Sequence, residues 1–254
     1  GLLINSFTVI PVIRVLYLVF SVNMLIKVAV TFRYCKETRQ GKIRMAETKN
    51  TSLLHMLFEY KELIPKVLKD KEVMKVLAVS VILYITNMVS TNFFSLYVTQ
   101  WLGIESRYLA FFPILNAAVM LIFMIGIQHK LELVKFRIPM WVGLALYAIA
   151  VILLILAPVG NMLFVIIYVF IVAVAGALVM PRKDTLIQLS INAEERARIN
   201  ALIMSFTIAF SSPFGYFAGW LSSIDRRLPF AFAFALFLAA FIIVGRIRDP
   251  EFSK

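Results

Sequence analysis

Seven apolar runs, at 10–32, 76–98, 108–128, 138–158, 161–181, 199–222 and 228–245, set the limits of what this chain can fold into. The last six contain no Asp, Glu, Lys, Arg or His. At about 1.5 Å per helical residue each can cross a hydrocarbon core about 30 Å thick, the last one only just. In hydrocarbon, backbone N–H and C=O groups have to be satisfied within their own segment, so the runs are read as α-helices. Hydrophobic residues make up 61% of the chain, against roughly 45–50% in soluble domains. The expected fold is an all-α membrane protein of seven transmembrane helices, one leading helix and then a block of six.

The stretch from Arg33 to Lys75 separates these two parts and carries 11 of the 26 Lys and Arg residues. Basic segments beside spans stay cytoplasmic, because Lys and Arg resist translocation. With residues 33–75 placed on that side, the alternating loops follow. Lys130, Lys135, Arg137, Arg182, Lys183, Arg196, Arg198, Arg246, Arg248 and Lys254 fall with the linker, and Arg107, Arg226 and Arg227 fall opposite. Counting Lys27 inward and Arg14 outward, the division is 22 to 4 out of 26. The first residue is then expected outside and the C-terminus in the cytoplasm, in a plasma (cytoplasmic) membrane. Within the linker, Leu53, Met56, Leu57, Tyr60, Leu63, Ile64, Val67 and Leu68 recur at helical spacing. This pattern predicts an amphipathic helix on the membrane surface, broken near Pro65. The net charge of +12 is read as this asymmetry and as attraction to anionic lipid heads rather than as a nucleic-acid footprint.

Polar residues inside the spans are few and ordered. Ser80, Tyr84, Asn87, Thr91 and Ser95 form one stripe along the 76–98 helix, with Asn116 alone on the next helix and Asn200, Thr207 and Ser211 on the sixth span. Hydrocarbon disfavours such groups, so the stripes face protein or water. Interhelical hydrogen bonding and a solute cavity both remain open on spacing alone. Ser211, Gly215 and Gly219 form a small-residue row, read as a site of close helix packing. Pro139 and Pro229 begin helices, whereas Pro113 and Pro213 fall within helices and are expected to bend them.

Three features resemble the major facilitator superfamily. One span ends in Lys36-Glu37-Thr38-Arg39 and is followed by a basic linker and six spans. The segment from Asn192 through Glu195, Arg196 and Arg198 to Leu202 is similar to the Glu/Arg-rich opening of the family's eleventh helix. Ser212-Pro213-Phe214-Gly215-Tyr216, ending at Gly219, matches a Pro/Gly-rich run in that same helix. A departure lies at Gly126 to Lys135, where the family's loop aspartate and second glycine are missing. The resemblance implies that residues 1–32 are the last helix of an N-terminal half. On the same reading, 33–75 are the cytoplasmic linker, 76–245 the six-helix C-terminal half and 246–254 a cytoplasmic tail. It implies five further helices upstream, a fragment, and a secondary transporter whose two halves rock about a midplane site.

On that resemblance Ser80, Tyr84, Asn87, Thr91 and Asn116 are the substrate-cavity candidates. Asp184, Glu195 and Arg198 are candidates for a cytoplasmic gate or anchor. Asn192 and Glu195 have capping-box spacing, and Arg198 lies three residues past Glu195, so capping and anchoring also account for that segment. No catalytic residues, metal or cofactor are expected. His55, His129 and Cys35 are far apart without ligand spacing, no Ser/His/Asp set assembles within the spans, and no phosphate-cradling loop is present. The expected partners are the lipid bilayer, a small solute and the missing N-terminal helical half, with no nucleic acid. The alternative function is a non-transporting membrane scaffold or receptor domain.

Overall fold

The computed structural model describes residues 9–36, 41–42, 45, 64–65, 68–127, 134, 137–189 and 196–247. Most of the expected surface helix of the linker, together with Asn192 and Glu195, lies outside the described residues. The chain divides into two compact units, Gly1–Glu59 and Tyr60–Lys254. The first contains α1, Val9–Tyr34, apolar enough over Ile13–Tyr34 to cross a membrane.

The second unit holds α2 (Lys71–Leu96), α3 (Phe111–Gly126), α4 (Arg137–Ile155), α5 (Met162–Leu189), α6 (Arg196–Ile224) and α7 (Leu228–Gly245). Each carries an apolar window long enough to span a bilayer. The chain is therefore a multi-pass, all-α membrane protein, as expected.

The helices differ from the sequence expectation at four places. The α2 helix begins at Lys71, ahead of its apolar run, because Asp70 caps it. The Asp70 Oδ1 accepts from the backbone N–H of Glu72 at 2.9 Å and of Val73 at 3.2 Å. At its far end α2 continues as a π-helical turn, Tyr97–Trp101. The bend expected at Pro113 does not arise inside a helix. Pro113 is the third residue of α3, in the first turn, where a missing N–H deprives no carbonyl of a partner. Conversely, α5 does not stop at Pro181 but carries on to Leu189, taking Arg182, Lys183 and Asp184 into the helix. Pro213 lies inside α6, as expected.

The packing is organised around α2 and α4. The α2 helix packs on α5, α6 and α7, while α4 lies between α5 and α7 and α3 rests on α5. The closest approach is that of α4 to α5. A Cβ on Gly143 would stand 2.5 Å from Val179 Cγ2 and 3.2 Å from the Ala175 carbonyl oxygen. The row Ser211, Gly215 and Gly219 does not play this part. A Cβ on Gly215 would meet only Met88 Sδ, at 3.5 Å, and one on Gly219 would meet nothing within 4 Å. Without a hydrophobic drive between helices in lipid, tight contact depends on how closely two backbones come together. The sequence contained a small-residue motif on α6, but the facing surface decides where smallness is needed, and here that surface is Ala175 and Val179.

Ring contacts extend the α4–α7 seam, with Tyr147 stacked on Phe237 at 4.9 Å and Trp141 on Phe241 at 5.6 Å. At one end of the bundle the carbonyls closing α7 are met by cations. Lys75 Nζ donates to the Arg246 carbonyl at 2.7 Å, and Arg137 donates to that of Ile247, favourable partners for the negative end of a helix. At the other end the Tyr97 hydroxyl donates to the Leu154 carbonyl at 2.9 Å, and the Gly160 N–H to that of Leu102 at 2.7 Å. Gly160 has φ +77°, which suits glycine at this turn.

These contacts make Gly143 and Gly219 distinguishable. Gly143→Val should destabilise the six-helix unit by about 1–3 kcal/mol through overpacking against Val179 and the Ala175 carbonyl. Gly219→Ala should change it by less than about 0.5 kcal/mol. Thermal unfolding of the two variants in detergent, read by tryptophan fluorescence, checks the difference.

Candidate functional site

Three helices, α2, α5 and α6, enclose a cavity of about 280 Å³. Its α2 wall is the polar stripe expected from sequence: Ser80, Tyr84 and Asn87, with Leu83 between them. Periodicity accounts for this placement, since steps of four and three residues keep the stripe on one helix face. Val89, off that face, is fully buried. Ser80 spends its own proton on the Val76 carbonyl, at 2.9 Å, leaving its oxygen able to accept.

The α6 wall carries Asn200 and Thr207 among Ile203, Met204 and Ile208. Met88 faces Gly215, and Ser80 and Thr207 share the cavity. Both pairs have the same sequence separation, the register of two helices running in parallel. The Thr207 hydroxyl is buried at 7% exposure and has no hydrogen-bond partner among the described residues. The same holds for Ser211 one turn further along α6. A helical Ser or Thr commonly donates to the carbonyl four residues back, as Ser80 does, so these two stand out among the described buried hydroxyls of the unit.

The α5 wall closes the cavity with Met180, Lys183, Asp184 and Ile187. Lys183 Nζ and Asp184 Oδ1 form an ion pair at 3.0 Å, with the Asp184 side chain 62% exposed. The expected cavity residues Ser80, Tyr84 and Asn87 and the expected gate residue Asp184 are thus brought together in one cavity.

The remaining candidates separate from it. Thr91 is exposed on α2 but lies beyond the cavity lining. Asn116, half-buried on α3, does not line it either. Arg198 is half-buried at the start of α6, outside the lining. Lys183 was missed as a cavity residue because Pro181 followed by three charged residues resembles the end of a helix. The stripe of Asn200, Thr207 and Ser211 was legible, but the spacing alone did not attach it to the same cavity.

Taken together, the spans define a multi-pass helical membrane protein, and the polar groups of one bundle converge on a cleft between three of its helices. The family model of the Major Facilitator Superfamily matches residues 1–216, and the chain belongs to that family of secondary membrane transporters rather than to a family of enzymes. No curated protein matches the chain.

The cavity has a direct chemical readout. With Cys35, the single cysteine, changed to Ser, Asn87→Cys should react with a small water-soluble thiol reagent. Val89→Cys, two residues away but fully buried, should react at least about tenfold more slowly, since burial removes both water and reagent. Equal rates would show that the cavity is closed to water.

Proposed function

We propose that the chain moves a small solute across the plasma membrane by alternating access, with the α2–α5–α6 cavity contributing one wall of the solute site. The observation that carries this reading is the convergence of Ser80, Tyr84, Asn87, Asn200 and Thr207 on one cleft. Interhelical glue alone would pair these groups with one another. Instead Tyr84 and Asn87 remain exposed within the unit and Thr207 is without a hydrogen-bond partner among the described residues. Polar groups left in this state at membrane depth favour a cavity that takes up water or a solute.

On this reading the cleft is the half of a site whose other wall is a second helical bundle, the arrangement that rocking motions require. Residues 1–32 then serve as the last helix of that other half, 33–75 as the linker and 76–245 as the half that holds the cleft. The cleft lies toward the end of the unit that the positive-inside pattern assigns to the cytoplasm, and Lys183 and Asp184 line it there. Asp184, with Glu195 and Arg198 nearby in sequence, is placed to respond when that side closes.

Orientation is tested by side-specific labelling. Gln188→Cys at the end of α5 and Ser223→Cys near the end of α6, both exposed, should react with an impermeant reagent from opposite sides of an intact membrane, Gln188→Cys from the cytoplasm. Labelling from one side only would overturn the topology. Transport itself is tested in proteoliposomes holding the full-length polypeptide, by screening accumulation of a panel of radiolabelled small solutes. A solute taken up above empty liposomes should lose at least about tenfold in rate on Asn87→Ala, which deletes a hydrogen-bonding group of the site. Saturable binding without accumulation would instead support the scaffold or receptor reading.

A further inference from the structure

The chemistry of the cavity walls narrows what the cleft can take. Resting on the reading of the cleft as a solute site, we propose that its solute has no net charge, presents an apolar side and a hydrogen-bonding side, and is held in part by the Thr207 hydroxyl.

Three observations converge on this class. First, the walls are of two kinds. Leu83, Met180, Ile187, Ile203, Met204 and Ile208 offer apolar surface, while Ser80, Tyr84, Asn87, Asn200 and Thr207 offer only neutral donors and acceptors. Second, Thr207 is more than nine-tenths buried, lines the cavity and lacks a partner among the described residues. A hydroxyl in that state carries an unmet desolvation cost, which a solute bearing a neutral donor or acceptor relieves on binding. Third, among the described residues the charged groups in the lining are Lys183 and Asp184, of opposite sign and paired at 3.0 Å. A net-charged solute meets attraction and repulsion together at this pair and receives no uncompensated counter-ion from it, yet it still gives up water against the apolar walls. A neutral solute avoids that cost, and a zwitterion can meet the two rim charges with its own.

Matched thiol reagents test this without knowledge of the natural solute. The full chain with Cys35→Ser and Asn87→Cys, reconstituted in liposomes, is treated with 2-hydroxyethyl, 2-(trimethylammonium)ethyl and 2-sulfonatoethyl methanethiosulfonate. Each rate is divided by that reagent's rate with free cysteine. Met204→Cys, exposed on the opposite wall, repeats the measurement should Asn87→Cys fail to fold. The neutral hydroxyethyl reagent should react fastest, by roughly tenfold over both charged ones. Asp184→Asn, which leaves Lys183 unpaired, should speed the anionic reagent and slow the cationic one. Lys183→Gln should do the reverse, each by at least about threefold for a single nearby charge. A parent in which either charged reagent keeps pace with the neutral one overturns the proposal, as does failure of the neutral reagent to react. Absence of any shift on neutralising Lys183 or Asp184 overturns the part assigned to the rim pair. The labelling pattern does not depend on transport, so a chain that shows it but accumulates no solute would refute the transport reading while leaving the solute class intact.

Discussion

A bilayer offers no water to a backbone amide, and this constraint governs the molecule. Each span satisfies its own N–H and C=O groups as a helix, so the architecture depends on what the side chains do between helices. Apolar side chains are nearly indifferent between lipid and protein, and association therefore falls to close backbone contact and to polar groups seeking partners. Both appear in the six-helix unit. Gly143 lets α4 settle on α5 against Ala175 and Val179, while the polar residues of α2, α5 and α6 gather around one cleft. The tightly packed seam and the open cleft are complementary results of the same solvent.

The ends of the bundle are fixed by different means from its middle. Where water is available, charges and backbone carbonyls close the helices: Asp70 caps α2, and Lys75 and Arg137 meet the carbonyls after α7. On the far side Arg227 lies over the Trp101 ring at 4.2 Å, and Tyr97 packs on Phe230 at 5.0 Å. These contacts tie α2 to α7, and the Tyr97 and Gly160 hydrogen bonds tie it to the α4–α5 hairpin. The α2 helix, which carries the polar stripe, is thus held at both ends by the elements behind it.

The number and type of the helices were legible because hydropathy and the absence of charge act on whole segments, and a residue or two of error changes little. The cavity stripe on α2 was legible for a related reason, since Ser80, Tyr84 and Asn87 keep a fixed angular relation on any helix. What failed depended on a second surface. The row ending in Gly215 and Gly219 has the composition of a packing motif, but packing is a property of two faces, and within this unit the tight contact is that of Gly143 on α4 with α5. Pro113 was misplaced because a proline's effect depends on its distance from the helix start, which the cap rather than the proline decides. The stop expected at Pro181 was overridden in context: one lost hydrogen bond does not end a helix whose next turn, with Leu186 and Ile187 buried, still packs on the bundle.

The continuation of α5 has the largest consequence for mechanism. Had the helix ended at Pro181, Lys183 and Asp184 would belong to a loop rather than to the α5 wall of the cleft. As a helical turn they become part of its wall, and Asp184 is the carboxylate that lines it among the described residues. The Asp184 side chain is 62% exposed and held by the Lys183 ammonium at 3.0 Å.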